Sequence, residues 1–168
     1  MVKVLVMTDL HITQSAKRIA GLNSLKRFEQ GLRHAAANHP DAARLILMGD
    51  LTHSGLDAEY AGLAAALESV SWPVSFMLGN HDDRDTFLRH FRDVAPDDAG
   101  FVQSVVDYES VRLIMLDSLD NALPVKHAGQ LCERRVDFLK ATLDSTSKPC
   151  LVFVHHTPFK TGFTGMDK

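Results

Sequence analysis

The chain has 168 residues, enough for one hydrophobic core and too few for two comfortable domains. With 45% hydrophobic and 23% charged residues its composition is globular, which excludes disordered and collagen-like chains. A net charge of −3 argues against a dedicated polyanion binder, which needs a basic face to release counterions.

The N-terminus runs directly into an apolar strand, Val2–Thr8, too short for a signal-peptide core and preceded by no basic stretch. After a polar loop at Asp9–Asn23, Leu25, Phe28, Leu32 and Ala35 recur at steps of three and four, which predicts a helix. Arg44–Met48 reads as a second buried strand, and Leu56, Tyr60, Leu63 and Leu67 mark a second helix. Val74–Leu78 is the third strand. Arg84–Arg92 is a short helix with Asp82 or Asp83 as its N-cap. Beyond a loop at Ala95–Gly100, Phe101–Tyr108 runs into Val111–Asp117 across Glu109-Ser110, the pattern of an antiparallel hairpin. A loop at Asn121–Gln130 leads to a helix carrying Cys132, Val136, Leu139 and Leu143, and Cys150–His155 is the last strand.

Strand–helix alternation predicts an α/β architecture with crossovers, and the hairpin favours mixed sheets or a two-sheet sandwich over a pure doubly wound fold. Cys132 and Cys150 sit among core-like residues and read as buried thiols, not a bridge. No apolar run approaches the roughly twenty residues that span a bilayer. The expectation is a soluble cytoplasmic protein with no membrane partner.

The ionisable residues fall just past the carboxyl ends of strands. These ends read Thr8-Asp9-Leu10-His11, Met48-Gly49-Asp50, Leu78-Gly79-Asn80-His81-Asp82 and Val154-His155-His156. A single Asp there is usually a helix cap or turn former, and a single His a satisfied polar residue. Four strand ends carrying such groups together point to a site, where open α/β sheets bind ligands. Carboxylate, imidazole and amide oxygen suit Mn, Fe, Zn or Co, and no thiolate lies near the motifs. Asp9 and His11 project on one side of an extended turn. Asp50, with two oxygens, can bridge two ions, whereas Asn80 offers a neutral oxygen that leaves its ion strongly Lewis-acidic. Such a pair holds a bridging hydroxide and clamps a phosphoryl group for in-line displacement.

Asp9-Leu10-His11, Gly49-Asp50, Gly79-Asn80-His81-Asp82 and His155-His156-Thr157-Pro158, in that order and spacing, resemble four of the five signature motifs of the calcineurin-like metallophosphoesterases. Leu116-Asp117-Ser118 and Gly129-Gln130-Leu131 add a likeness to bacterial class III cyclic-nucleotide and glycerophosphodiester phosphodiesterases. The resemblance covers essentially the whole chain and implies two packed mixed sheets flanked by helices, binding two divalent or trivalent transition-metal ions (Mn, Fe, Zn or Co). It implies Asp9, His11 and bridging Asp50 around the first ion, and Asp50, Asn80 and His156 around the second. His81 would sit beside the phosphoryl group to stabilise its charge or protonate the leaving alkoxide, and His155 would orient the site without ligating.

Two departures stand out. His53 takes a position where many relatives carry Asp or Asn, and it reads as a solvated loop residue. The family's closing Gly-His-x-His is missing, which reads residues 1–168 as the N-terminal portion of a single metallophosphoesterase domain, incomplete as it stands. The function expected is hydrolysis of a small phosphodiester, a 3′,5′-cyclic nucleotide or a glycerophosphodiester. The alternatives are a nuclease of the same family, which the acid-leaning charge disfavours, or a non-catalytic interaction module, which the intact early motifs disfavour. No nucleic-acid polymer is expected as a partner, and a homo-oligomer is compatible with the sequence.

Overall fold

The structure is a computed structural model that describes residues 1–14, 17–125 and 127–163. β1 (Val4–Met7), β2 (Arg44–Met48) and β3 (Val74–Met77) pair in that order, parallel throughout, with Val4 opposite Arg44 and Leu45 opposite Val74. Parallel neighbours require crossovers. These are α1 (Ser24–Asn38) and α2 (Asp57–Leu67), and α3 (Arg84–His90) then leads towards the second sheet. β4 (Ser104–Asp107) and β5 (Arg112–Leu116) form the expected antiparallel hairpin, with Asp107 opposite Arg112. α4 (Glu133–Asp144) packs on β5 and returns the chain to β6 (Cys150–Val154), which lies parallel to β5.

Alternation along the strands sets the layers, because residues two apart share a face. Leu45 and Leu47 of β2 pack with Phe28, Leu32 and Ala35 of α1 and with Tyr60 and Leu63 of α2. Ile46 between them faces the other way and, with Met77, meets Leu113 and Met115 of β5. The parallel sheet thus carries helices on one face and the mixed sheet on the other. On β6, Leu151 and Val152 remain exposed.

The ends of the elements follow local chemistry. Asn23 caps α1 by accepting from Lys26 N–H at 2.9 Å, and Asp83, one of the two predicted caps, accepts from Thr86 N–H at 2.8 Å at the start of α3. β1 begins at Val4, not Val2, and ends at Met7, just before the backbone bends into the left-handed region at Asp9 (φ 54°) and His11 (φ 43°). Cys132 and Cys150 are free as expected, though only half-buried. No helix among the described residues is long and apolar enough to cross a membrane.

Candidate metal centre

The segments following β1 and β2 run side by side beyond the sheet. Asp9 N–H donates to the Gly49 carbonyl at 3.1 Å, His11 N–H to Asp50 at 2.9 Å and Ile12 N–H to Leu51 at 3.0 Å. Asp9, His11 and Asp50 all keep positive φ there, which is costly for residues with a Cβ and holds only where surroundings over-determine it. Two glycines make room. A Cβ on Gly49 would strike the His155 ring, and one on Gly79 would strike the Asp50 carboxylate and His155.

These turns bring the ligating atoms of Asp9, His11 and Asp50 within 4.8 Å of one another. His11 Nε2 lies 3.5 Å from Asp50 Oδ2 and 3.9 Å from Asp9 Oδ1, longer than hydrogen bonds. An ion holding nitrogen and oxygen at about 2.1 Å sets them about 3.4 Å apart, so the spacing fits one ion in this corner. Asp50 is 4% exposed and accepts from His81 N–H at 2.9 Å through Oδ1. Burial opposes its ionisation, but His155 and the His81 amide outweigh burial and hold its pKa below the ordinary carboxylate value.

Asn80 and His156, expected around a second ion, each rest on a partner of their own. Asn80 Nδ2 is 2.7 Å from His127 Nδ1, and donation to that ring leaves the amide oxygen free. His156 Nδ1 is 2.7 Å from Ser118 Oγ, while its buried Nε2 has no hydrogen-bond partner among the described residues. Burial, then the neighbouring His155, pushes the pKa of His156 down to about 4, which keeps the ring in its neutral, ligand-competent form. A buried imidazole nitrogen without a partner, oriented by a hydroxyl on its other nitrogen, is the arrangement of a metal-binding histidine. His156 nevertheless stands outside the groups of three or more His, Cys, Asp and Glu side chains whose ligating atoms lie within 4.8 Å among the described residues.

His81 lies over His11, with ring centroids 4.7 Å apart at 85°, and its Nδ1 is 2.8 Å from the His53 carbonyl. Donation there leaves Nε2 free towards the site. His155 donates Nδ1–H to the Met48 carbonyl at 2.8 Å and sets Nε2 3.4 Å from Asp50 Oδ1. Burial works against the charge on His155, but Asp50 and the Met48 carbonyl raise its pKa above the ordinary value.

His53 is not the solvated loop residue that its position suggested. It is half-buried, with its ring 5.4 Å from that of His81 and 5.6 Å from that of His11. Ser118 and Asp82 also acquire roles that sequence reasoning missed. Asp82, 4% exposed, accepts from the N–H groups of Leu51, Thr52 and Gly79, the Thr52 hydroxyl and the Tyr60 hydroxyl, tying the turn after β2 to the turn after β3. Burial raises its pKa to about 6 against the pull of those amides. Its place in Gly79-Asn80-His81-Asp82 was the available signal.

Comparison with known proteins matches residues 2–167 to the calcineurin-like phosphoesterase family. A probable cyclic nucleotide phosphodiesterase of Rhodopseudomonas palustris is 40% identical over 98% of this chain and 61% of its own length. The glycerophosphodiester phosphodiesterase GpdQ of Enterobacter lignolyticus is 33% identical over 76% of this chain and 46% of its own. The 3′,5′-cyclic adenosine monophosphate phosphodiesterase CpdA of Escherichia coli K12 is 25% identical over 99% of this chain and 59% of its own. The chain therefore spans roughly half to three-fifths of the length of these relatives. Among solved structures, a purple acid phosphatase from yellow lupin superposes with a TM-score of 0.58 at 15% identity, covering 87% of this chain and 28% of that one, a likeness of fold alone.

Proposed function

The chain belongs to the calcineurin-like phosphoesterase family, and from that premise we propose that it carries most of the metal centre of a hydrolase acting on a small phosphodiester. The observation that carries this reading is the convergence of Asp9, His11 and Asp50, with ligating atoms within 4.8 Å, at the ends of two adjacent parallel strands.

In this reading Asp9, His11 and Asp50 hold one ion, and Asp50, Asn80 and His156 hold the other. When bound, the ions supply an activated water and neutralise phosphoryl charge. The remaining work falls to the chain's own groups. His81 anchors Nδ1–H on the His53 carbonyl, so the proton it delivers to a leaving alkoxide comes from Nε2. Ser118 fixes the ring of His156, and Asp82 fixes the turns that carry Asp50 and His81. His155, bonded to Met48 O and facing Asp50, orients the Asp50 carboxylate, which would serve both ions. Relatives named for 3′,5′-cyclic nucleotides and for glycerophosphodiesters make these the two substrate classes to assay.

The test is hydrolysis of bis-p-nitrophenyl phosphate, cyclic AMP and a glycerophosphodiester by metal-free protein, repeated after addition of Mn²⁺, Fe²⁺, Zn²⁺ or Co²⁺. Metal-dependent turnover is expected. A rate no higher than the uncatalysed background with every ion overturns the proposal.

A further inference from the structure

The group of imidazoles around His81 contains a possibility that the phosphodiesterase reading does not use. The ligand nitrogens of His11, His53 and His81 all lie within 4.8 Å of one another. Their ring centroids are 4.7, 5.4 and 5.6 Å apart. Three imidazoles bound tetrahedrally at about 2.0–2.1 Å have centroids about 5 Å apart, so the rings already stand at the separations one ion would impose. His53 and His81 are stacked with their planes 22° apart, and His11 crosses them at 67° and 85°.

Two nitrogens in this group, His11 Nδ1 and His53 Nδ1, are buried without a hydrogen-bond partner among the described residues. An orphaned buried nitrogen is a cost that a ligand removes. On His81 the Nδ1–H is spent on the His53 carbonyl at 2.8 Å, which fixes the tautomer and leaves Nε2 to bind.

We propose that His11, His53 and His81 form a metal position separate from the carboxylate-rich one, selective for a late first-row ion such as Cu²⁺ or Zn²⁺. Selectivity follows from the donors. Three neutral imidazoles with no carboxylate favour ions high in the Irving–Williams order, whereas Mn²⁺ keeps to the oxygens of Asp9 and Asp50. The two positions compete, because His11 belongs to both and a neutral imidazole has a single lone pair to give. An ion on the three rings also occupies His81. Copper or zinc therefore inhibits, a consequence that rests on the phosphodiesterase reading, while the metal position itself does not.

The experiment reads binding in the full chain, independently of turnover. One equivalent of Cu²⁺ is added to the metal-free protein, and its nitrogen donors are counted by pulsed electron paramagnetic resonance. Three imidazole nitrogens are expected, and a single nitrogen, the signature of the Asp9–His11–Asp50 position, overturns the proposal. Copper and manganese affinities are then measured for wild type and His53→Asn, with His53→Gln replacing the asparagine variant if its circular dichroism is not native. A loss of tenfold or more in Cu²⁺ affinity, with Mn²⁺ affinity within threefold of wild type, is expected. A smaller copper loss overturns the proposal, and so does a larger manganese loss, which would make His53 a support of the carboxylate position.

Discussion

Asp50 serves two neighbours through two oxygens, Oδ2 facing His11 Nε2 and Oδ1 taking the His81 amide. Asp50→Asn keeps the shape but loses the second anionic oxygen, so both ions should be lost together. His81→Ala should leave Mn²⁺ content unchanged and lower Mn²⁺-dependent turnover by about two to four powers of ten, the range of a general acid. Manganese analysis alongside kinetics checks the pair, and loss of Mn²⁺ from the alanine variant would make His81 a ligand of the carboxylate-rich centre. Ser118 offers a finer test. Its hydroxyl is the partner of His156 Nδ1, so Ser118→Ala should weaken the second ion by about 10–100-fold and leave the first unchanged, read by calorimetric titration of Mn²⁺. The grouping of Asp9, His11 and Asp50 was legible in the sequence because strand ends concentrate ligand-type residues at one edge of a sheet. Ser118 and the packing of His53 were not, because each depends on contacts across 28 to 38 residues that no local period encodes.

At the scale of elements, a buried charge cluster ties the parallel half to the hairpin half. Asp117, just beyond β5 and fully buried, accepts a two-pronged pair from Arg84 at the start of α3 (3.0 and 2.9 Å) and the N–H groups of Val102 and Leu119. Arg135 of α4, 2% exposed, donates to the carbonyls of Asp117 and Leu119, bracketing Ser118, and stacks over Phe101 with its guanidinium carbon 4.4 Å from the ring centroid. Asp117→Ala removes the carboxylate that pairs with Arg84 and holds two buried amides, and should cost about 3–5 kcal/mol in denaturant unfolding. α2 and α3 meet in a weaker, exposed contact, where Asp57 lies 3.1 Å from His90 Nε2 and 3.5 Å from Arg89 Nη2. The hydrogen bond to His90, with the charge of Arg89 and against slight desolvation, lowers the pKa of Asp57 below 3.8. A depressed carboxyl pKa stabilises the fold above the unfolded value, and that stability is lost as pH falls through the folded value. The urea midpoint of wild type should therefore exceed that of Asp57→Asn at about pH 5, the difference vanishing towards pH 2. All ten elements were legible from apolar period and turn residues, whereas this charge cluster was not, since no local period pairs Arg84 or Arg135 with Asp117. Burying guanidinium groups is favourable only with partners that tertiary structure supplies.

For the molecule as a whole, the candidate metal centre is divided between the two sheets, and this gives the layer between them a functional consequence. β1, β2 and β3 deliver Asp9, His11, Asp50, Asn80 and His81, while β5 and β6 deliver Ser118 and His156. In the proposed assignment one sheet would hold the first ion, and the second would need both. Their mutual position depends on Ile46 and Met77 interleaving with Leu113 and Met115. Met115→Ala opens a cavity between the sheets and should cost about 2–5 kcal/mol, as large-to-small core changes do. Leu63→Ala, under α2 on the other face of the parallel sheet, removes a comparable volume and should cost about as much. The two variants should differ in metal binding. Loosening the helix layer leaves both halves of the centre in register, so Leu63→Ala should bind both ions within about threefold of wild type at temperatures where it is folded. Loosening the inter-sheet layer lets His156 drift from Asp50 and Asn80, so Met115→Ala should keep the first Mn²⁺ and bind the second about tenfold more weakly or worse, in line with the cost of misplacing a ligand's support. Equal second-ion affinities in two variants of matched stability would mean that the inter-sheet packing does not set the geometry of the centre.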